Sequence, residues 1–322
     1  MSDATKKVLI TGANGSGARY LITHLQGHQP QVEIHGTVRR KNSKYQVPNI
    51  VFYEADLLDQ GSLLRCLYVS QPDIIFHLAA NPDKCFEVPV ACFMTNAVGT
   101  LNLFEAVRSY AVGYKAPIII NVSSSEVYGA VRPEEVPITE ECPKRPVSPY
   151  AVAKLAQDNL ANVYWQAYKT PIITTRSFTY NNFYRRNLFT SDFAHQIALI
   201  EAGKQNVLKH GNLDSVRVMC DGRDIAEAYW LAATKCQPGE AYNIGGGQQV
   251  TVGEILERLI ALSGKCIPHC GDAALYRPVD VTLQVPDCTK FKQATGWEPK
   301  FDLDQSLKGL LGHWRKEIAR DE

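Results

Sequence analysis

The first half of the chain alternates short, continuously apolar segments with longer stretches of helical period. The apolar segments are VLIT from Val8, EIHGTV from Glu33, IVFYEAD from Ile50, IIFHLAA from Ile74, IIINVSS from Ile118 and IITTRSF from Ile172. Most are apolar at successive positions rather than at every second one, which predicts strands covered on both faces. Between them, ARYLITHL, GSLLRCLYV, AVGTLNLFEAVRSY and AVAKLAQDNLANVYWQAY place apolar residues at helical spacing. Strand–helix alternation of this kind predicts an α/β fold built on a doubly wound parallel sheet. The pattern weakens after about Thr179, where loops mix with shorter elements, among them the helical TVGEILERLIALSG and LDQSLKGLLGHWRKEI. The expected organisation is a dinucleotide-binding domain over residues 1–178 and a smaller C-terminal substrate-binding lobe over 179–322, with some chain returning to the sheet. No Pro/Gly-rich linker separates the two, so they are expected to pack together.

The turn after the first strand reads T-G-A-N-G-S-G-A, with Gly12, Gly15 and Ala18 in a G-x-x-G-x-x-G/A spacing. Glycine at such a turn lets the backbone approach a pyrophosphate, and the following helix presents free N–H groups to it. Asn14, Ser16 and Gly17 belong to the same turn. An apolar strand before it and an amphipathic helix after it give the context a Rossmann dinucleotide site requires. The second strand ends in Arg39, Arg40 and Lys41 rather than in the acidic residue that would bind a ribose 2′-hydroxyl. Guanidinium groups pair with phosphate in a fork, so the expected cofactor is NADP, with NAD as the alternative. Asp56 and Leu57, at the end of the third strand, are expected at the adenine. Leu78, Ala79 and Ala80, after His77, are small or apolar residues that let a cofactor lie close to the sheet. His77 itself reads as structural.

The fifth strand ends in S-S-S-E-V-Y-G, Ser123 to Gly129, and Y-A-V-A-K follows with Tyr150 and Lys154. Those two lie one helical turn apart and so share a face. An ammonium near a phenol lowers the phenol pKa and can also hold a nicotinamide ribose. A hydroxyl from the preceding strand end can bond the substrate oxygen while the tyrosine exchanges the alcohol proton and the nicotinamide exchanges hydride.

Composition narrows the setting. A formal net charge of +1 over 322 residues argues against nucleic acid or an anionic membrane as the main partner. No apolar run is read as approaching the roughly 20 residues that span a bilayer. The opening MSDATKKVLITG is polar and runs straight into a strand, so no signal peptide is expected. Nine scattered cysteines suggest a reduced, cytoplasmic setting rather than a disulfide framework. Cys266, His269 and Cys270 form the one local cluster, and it lacks a second ligand pair, so packing is preferred to zinc and no metal is expected.

The glycine turn, HLAA, SSSEVYG and SPYAVAK, in this order, resemble the extended short-chain dehydrogenase/reductase family over essentially the whole chain. The likeness is strongest to members acting on GDP-sugars, the 4-keto-6-deoxy reductases and the 4,6-dehydratases. The resemblance implies an enzyme whose catalytic Ser, Tyr and Lys roles fall on Ser124, Tyr150 and Lys154, with a nucleotide sugar as substrate. Glu126 stands where dehydratases carry the base that acts at C5 of the sugar. The family pattern also implies sugar or loop contacts for Cys85, Ser125, Thr179 and Asn212, and diphosphate contacts for Arg217 and Arg277. Arg185 and Arg186 are weaker diphosphate candidates. The chain departs from the family where Thr179 replaces the usual Asn, where N-N-F-Y-R-R replaces a G-P or S-P, and where Arg217 is followed by Val218. Reduction of a GDP-4-keto-6-deoxy-hexose at C4 is the leading expectation, with 4,6-dehydration or epimerisation as alternatives. A cofactor-binding regulatory protein on the same fold is the non-enzymatic one. In similar proteins the helices after Asn96 and around Tyr150 form a dimer interface, so a homodimer is expected.

Overall fold

The computed structural model describes residues 5–40, 47–81, 85–276, 279 and 281–320. Its strands are β1 (Lys7–Thr11), β2 (Glu33–Val38), β3 (Ile50–Glu54), β4 (Ile74–His77), β5 (Ile118–Val122), β6 (Ile172–Ser177), β7 (Tyr180–Asn181), β8 (Leu208–His210), β9 (Val216–Asp221), β10 (Ala241–Ile244), β11 (Gln248–Thr251), β12 (His269–Gly271) and β13 (Leu283–Gln284). The helices are α1 (Ser16–His28), α2 (Gln60–Ser70), α3 (Pro89–Phe93), α4 (Gly99–Tyr110), α5 (Pro149–Tyr168), α6 (Phe189–Glu201), α7 (Gly222–Lys235), α8 (Val252–Ser263), α9 (Thr289–Thr295) and α10 (Leu303–Arg320). One wider helical turn, Met94–Val98, joins α3 to α4.

Seven strands form one parallel sheet in the order β10-β6-β5-β4-β1-β2-β3. Its first six members in the chain are the six apolar segments. Their uniform apolarity follows from coverage on both faces. Val8, Ile10, Phe76 and Ile120 pack under α1 and α7. The alternate residues Leu9, Ile75 and Ile119 pack under α2, α4 and α5. β10 is the segment of the C-terminal half that returns to the sheet. Most of the remaining lobe is built on α6, α8 and α10, whose Phe193, Ile197, Ile255, Leu259, Leu307 and Leu311 form a separate core.

The helix starts are set locally. Ser148 caps α5 by accepting from Ala151 N at 3.0 Å, with Pro149 in the first turn. Asp59 caps α2, and Thr251 with Glu254 forms a capping box on α8. By contrast, α1 begins after Gly15 with no side-chain cap.

Two sequence readings are corrected. Cys85 and Cys92 are paired as a disulfide with their Cα atoms 5.4 Å apart, because the chain folds back into α3 between them. The other cysteines among the described residues are unpaired, with Cys266 and Cys270 exposed. The continuous helical run Pro89–Tyr110 is also long and apolar enough, by length and composition, to cross a bilayer. Half of it is buried against the sheet and α5, as a core helix would be.

A buried ion pair ties α5 to β6. Arg176 Nε donates to Asp158 Oδ2 at 2.8 Å, and both side chains are under a tenth exposed. Arg176 also donates to the Tyr128 hydroxyl and the Glu140 carbonyl, and Tyr128 donates to Asn243 on β10. Replacing Asp158 strands a buried guanidinium. Asp158→Leu is therefore expected to lower stability by about 3–5 kcal/mol. Urea unfolding measures this as a fall in midpoint at constant slope. A loss below about 1 kcal/mol would mean that the pair does not hold the two elements together.

Candidate active site

β1 runs directly into the glycine turn. Gly12 has φ +65°, and a Cβ there would lie 2.8 Å from the Cα of Ala79. Only glycine allows this turn and this approach of the two strand ends. Ala13 N donates to Thr37 O at 3.0 Å, Gly12 N to the Thr37 hydroxyl at 3.3 Å, and Gly15 N to Gly12 O at 2.8 Å. Asn14 is exposed, while the Ser16 hydroxyl accepts from Asn182 Nδ2 at 3.2 Å. Strand order reverses between β1 and β4, which is where an open α/β sheet forms its ligand crevice. A glycine cradle followed by an uncapped helix N-terminus fits the pyrophosphate of a dinucleotide.

At the far end of the crevice Arg39 and Arg40 are exposed immediately after β2, and Lys41 lies outside the described residues. Asp56 is exposed just beyond β3 and accepts from Leu58 N at 2.9 Å, while Leu57 is buried. Leu78, Ala79 and Ala80 are half-buried after β4, and Ala79 N donates to the Thr11 hydroxyl at 3.2 Å. His77 is buried between two threonines, with Nδ1 2.8 Å from Thr11 Oγ1 and Nε2 2.9 Å from Thr100 Oγ1. Burial first, and the Lys154 charge second, push the imidazole down to about 3. It is a neutral structural group, as its sequence context suggests.

Ser124, Glu126, Tyr150 and Lys154 converge where β5 ends beside the start of α5. Ser124 caps the short turn Ser125–Val127, its hydroxyl accepting from Glu126 N at 3.2 Å. Burial raises the Tyr150 phenol and the Glu126 carboxylate raises it further, while Arg185 and a hydrogen bond with Ser124 pull it back. The Ser148 hydroxyl donates to Glu126 Oε2 at 3.2 Å. Lys154 Nζ lies 5.9 Å from the centre of the Tyr150 ring. It donates to Val122 O at 2.7 Å and to Gln157 Oε1 at 2.9 Å. Burial lowers the Lys154 ammonium to about 8, partly offset by Asp158. An ammonium has three donors, and among the described residues two are committed, which leaves one for a ligand.

The residues expected at the substrate are less tightly gathered. Cys85 is buried in its disulfide, so no free thiol faces a sugar there. Ser125 is buried and donates to Gln284 Oε1 at 3.0 Å. Thr179 is half-buried, and its carbonyl accepts from Cys220 N at 3.2 Å. Asn212 orders its own loop, donating to Ser215 Oγ and accepting from Asp214 N. Arg217 lies on β9 between Val250 and Gln284, with Nη1 2.8 Å from Val216 O. Arg277 lies outside the described residues.

Three neighbours escaped the sequence reading of the catalytic face. Arg185, considered only for a diphosphate, acts electrostatically on Tyr150 and Tyr180. The Tyr180 hydroxyl lies 3.3 Å from the position a Cβ on Gly17 would take. Gln157 is buried against Lys154. Only Gln157 left a trace in the sequence, as a polar residue two helical turns beyond Tyr150 on the same face.

Comparison with known proteins gives the family. The sequence profile of the GDP-mannose 4,6 dehydratase family matches residues 9–310. The chain is 28% identical to a GDP-6-deoxy-D-mannose reductase of Pseudomonas aeruginosa, with 98% of this chain and 100% of the relative covered. It is 30% identical to a GDP-mannose 4,6-dehydratase of Yersinia enterocolitica, covering 95% of this chain and 93% of that one. Among solved structures, RMD from Pseudomonas aeruginosa complexed with NADPH is similar at a TM-score of 0.82 and 26% identity, covering 97% of this chain and 100% of that one. UDP-glucose 4-epimerase of Thermus thermophilus in complex with NAD is similar at 0.83 and 26%, covering 96% and 99%.

If the Lys154 donor left without a partner among the described residues meets a nicotinamide ribose, that contact carries the ammonium's charge only below its pKa. Affinity for the dinucleotide is therefore expected to fall as pH rises through about 8. Fluorescence titration of the reduced cofactor at a series of pH values measures this. Lys154→Met should bind more weakly with that break removed. A wild-type affinity that stays flat through this range would take Lys154 out of the cofactor site.

Proposed function

The chain belongs to the GDP-mannose 4,6-dehydratase family, and from that premise we propose that it reduces the C4 ketone of a GDP-4-keto-6-deoxy-hexose with NADPH. The observation that carries the reading is the convergence of Ser124, Tyr150 and Lys154 at the mouth of a crevice lined by the glycine turn. The reductase of Pseudomonas aeruginosa, matched along its whole length, supports the same reaction.

Bound NADPH would supply the hydride. Ser124 and Tyr150 would hydrogen-bond the ketone oxygen and hold the C4 carbon toward the nicotinamide. Tyr150 would give its proton to the oxygen as negative charge develops there. A phenol raised by burial and by Glu126 is protonated at neutral pH, which is the state this direction requires. Lys154 would stabilise the tyrosinate left behind and hold the ribose. Exposed Arg39 and Arg40, immediately after β2, support NADP rather than NAD.

One observation favours a second reading. The Glu126 carboxylate acts electrostatically on Tyr150, and a base near that phenol could remove the C5 proton in 4,6-dehydration. Its hydrogen bond from Ser148 is compatible with a fixed structural carboxylate as well.

A homodimer through α5 and the helical run Pro89–Tyr110, which includes the helix after Asn96, is part of the proposal. Val90, Phe93, Met94, Val147 and Val152 line an apolar groove of about 620 Å³ between these helices, and a second copy would cover it. A cytoplasmic location remains part of the proposal on composition.

Two measurements test the reading. Arg39→Ala/Arg40→Ala should lose tenfold or more of the preference for NADPH over NADH, on the scale of about 1.5–3 kcal/mol for each charge-assisted contact. Equal preference in wild type and double variant would remove the arginines from the cofactor site. For the reaction itself, wild type should oxidise NADPH stoichiometrically with a GDP-4-keto-6-deoxy-hexose. Glu126→Gln should then retain activity within about tenfold, because general-base catalysis worth roughly 10²–10⁴-fold is not in use. Conversion of GDP-mannose to a 4-keto-6-deoxy product without added NADPH, abolished in Glu126→Gln, would replace the reductase with the dehydratase.

A further inference from the structure

Gln157 is 1% exposed, and its side chain is held at both ends. Oε1 accepts from Lys154 Nζ at 2.9 Å. Nε2 donates to Asn121 Oδ1 and, at 3.4 Å, to Val122 O. Asn121 Nδ2 in turn donates to Thr174 Oγ1 at 3.2 Å. The direction of this chain is settled by chemistry. An ammonium can only donate, so the amide oxygen must face Lys154 and the NH₂ must face Asn121. A row of neutral side chains running from β6 through β5 thus ends on the lysine of α5.

We propose that Gln157 is a positioning residue for Lys154, fixing the ammonium so that its one uncommitted N–H is presented to the nicotinamide ribose. It acts through Lys154 and touches neither cofactor nor substrate. Among the described residues Val122 O and Gln157 Oε1 are the two acceptors on the ammonium, and they define the direction left over. The titratable groups facing Lys154 are Tyr150 and Asp158 on its own helix and His77 at the end of β4. Asp158 is already paired with Arg176 on β6. An amide at 157 therefore orients the lysine without adding the negative charge that would hold it protonated. A carboxylate at the same place would add that charge, and Asn121 could turn its amide about to donate to it.

This role rests on the nicotinamide-cofactor reading and not on the identity of the sugar, so the test uses cofactor alone. NADPH dissociation constants are measured across roughly pH 6–10 for wild type, Gln157→Glu and Gln157→Met, with thermal melting of each unloaded protein. In Gln157→Glu the pH at which affinity falls should move up by about one unit or more. In Gln157→Met it should move down, with affinity about tenfold weaker at the acid end. A purely structural glutamine would, in Gln157→Met, change melting and leave both the position of the break and the acid-end affinity alone. Should Gln157→Met fail to fold, Gln157→Leu takes its place with the same expectations. The same break in Gln157→Glu and wild type overturns the proposal, whatever the melting temperatures. Wild type that binds neither NADPH nor NADH overturns the cofactor reading and this role with it, whereas an inactive sugar screen with intact cofactor binding overturns only the assigned reaction.

Discussion

The crevice depends on one neutral imidazole. β1 and β4 must end side by side and then send their chains apart, and His77 holds the two ends in place. Its proton can be assigned from its neighbours. The Thr100 hydroxyl donates to Asn96 O at 2.6 Å, so it is left to accept from His77 Nε2–H. Nδ1 must then accept, and the Thr11 hydroxyl is its donor. Thr11 Oγ1 is thereby free to accept from Ala79 N. Every donor in the series has one acceptor, and the series closes only if the imidazole is neutral. Ala79 fixed in this way sits against Gly12 and requires the glycine there. Asn96 extends the same order outward, receiving Asn81 N on its oxygen and giving its NH₂ to Asn81 O. The glycine turn, the end of β4 and the start of α4 are thus one hydrogen-bonded unit.

A second unit forms on α5. Tyr150, Lys154, Gln157 and Asp158 fall on one face because they follow the helical repeat, and that face meets the ends of β5 and β6. Its outer end holds the groups that can meet a ligand. Its inner end holds the Asp158–Arg176 pair and, through Arg176, Tyr128 and Asn243. The same helix is therefore both a structural tie and the support of the candidate catalytic groups. Ser125 links this region to the lobe, since its partner Gln284 lies beside Arg217 in the small sheet.

What could be read from the chain depended on whether the decisive neighbours were local. Continuous apolar runs mark β1 to β6 because helices cover both faces of the sheet, and caps such as Ser148 and Thr251 act within one turn. The glycine turn was legible for the same reason, since its φ and its helix are set within a few residues. β10 was not assigned from its sequence. It is four residues long and carries Asn243, whose burial makes sense only beside Tyr128 and Glu140. The spacing of Cys85 and Cys92 says nothing of their separation, which the turn into α3 decides. Arg185 approaches Tyr150 by way of the loop that departs from the family pattern, so neither period nor resemblance pointed there. Arg217 could be named as a candidate, but its place between Val250 and Gln284 is set by strands more than thirty residues away on either count.

The energetics of Lys154 join the two units. Its ammonium is lowered from 10.5 to about 8, mainly by burial. Between those values the unfolded chain holds more protons than the folded one, so this group adds stability as pH rises through that window. Below about 8 the folded protein carries a charge that it would hold more cheaply in water. Val122 O and Gln157 Oε1 offset part of that cost, and Asp158 offsets more at a distance. A ribose hydroxyl accepting the last N–H would complete the shell, so binding returns stability that folding gives up. The two dependences run in opposite directions: stability from this group rises with pH while its contribution to cofactor affinity falls. A lysine left fully satisfied by the protein would be easier to fold and would have no donor to offer. The incomplete shell is the physical link between how α5 is built and what it can hold.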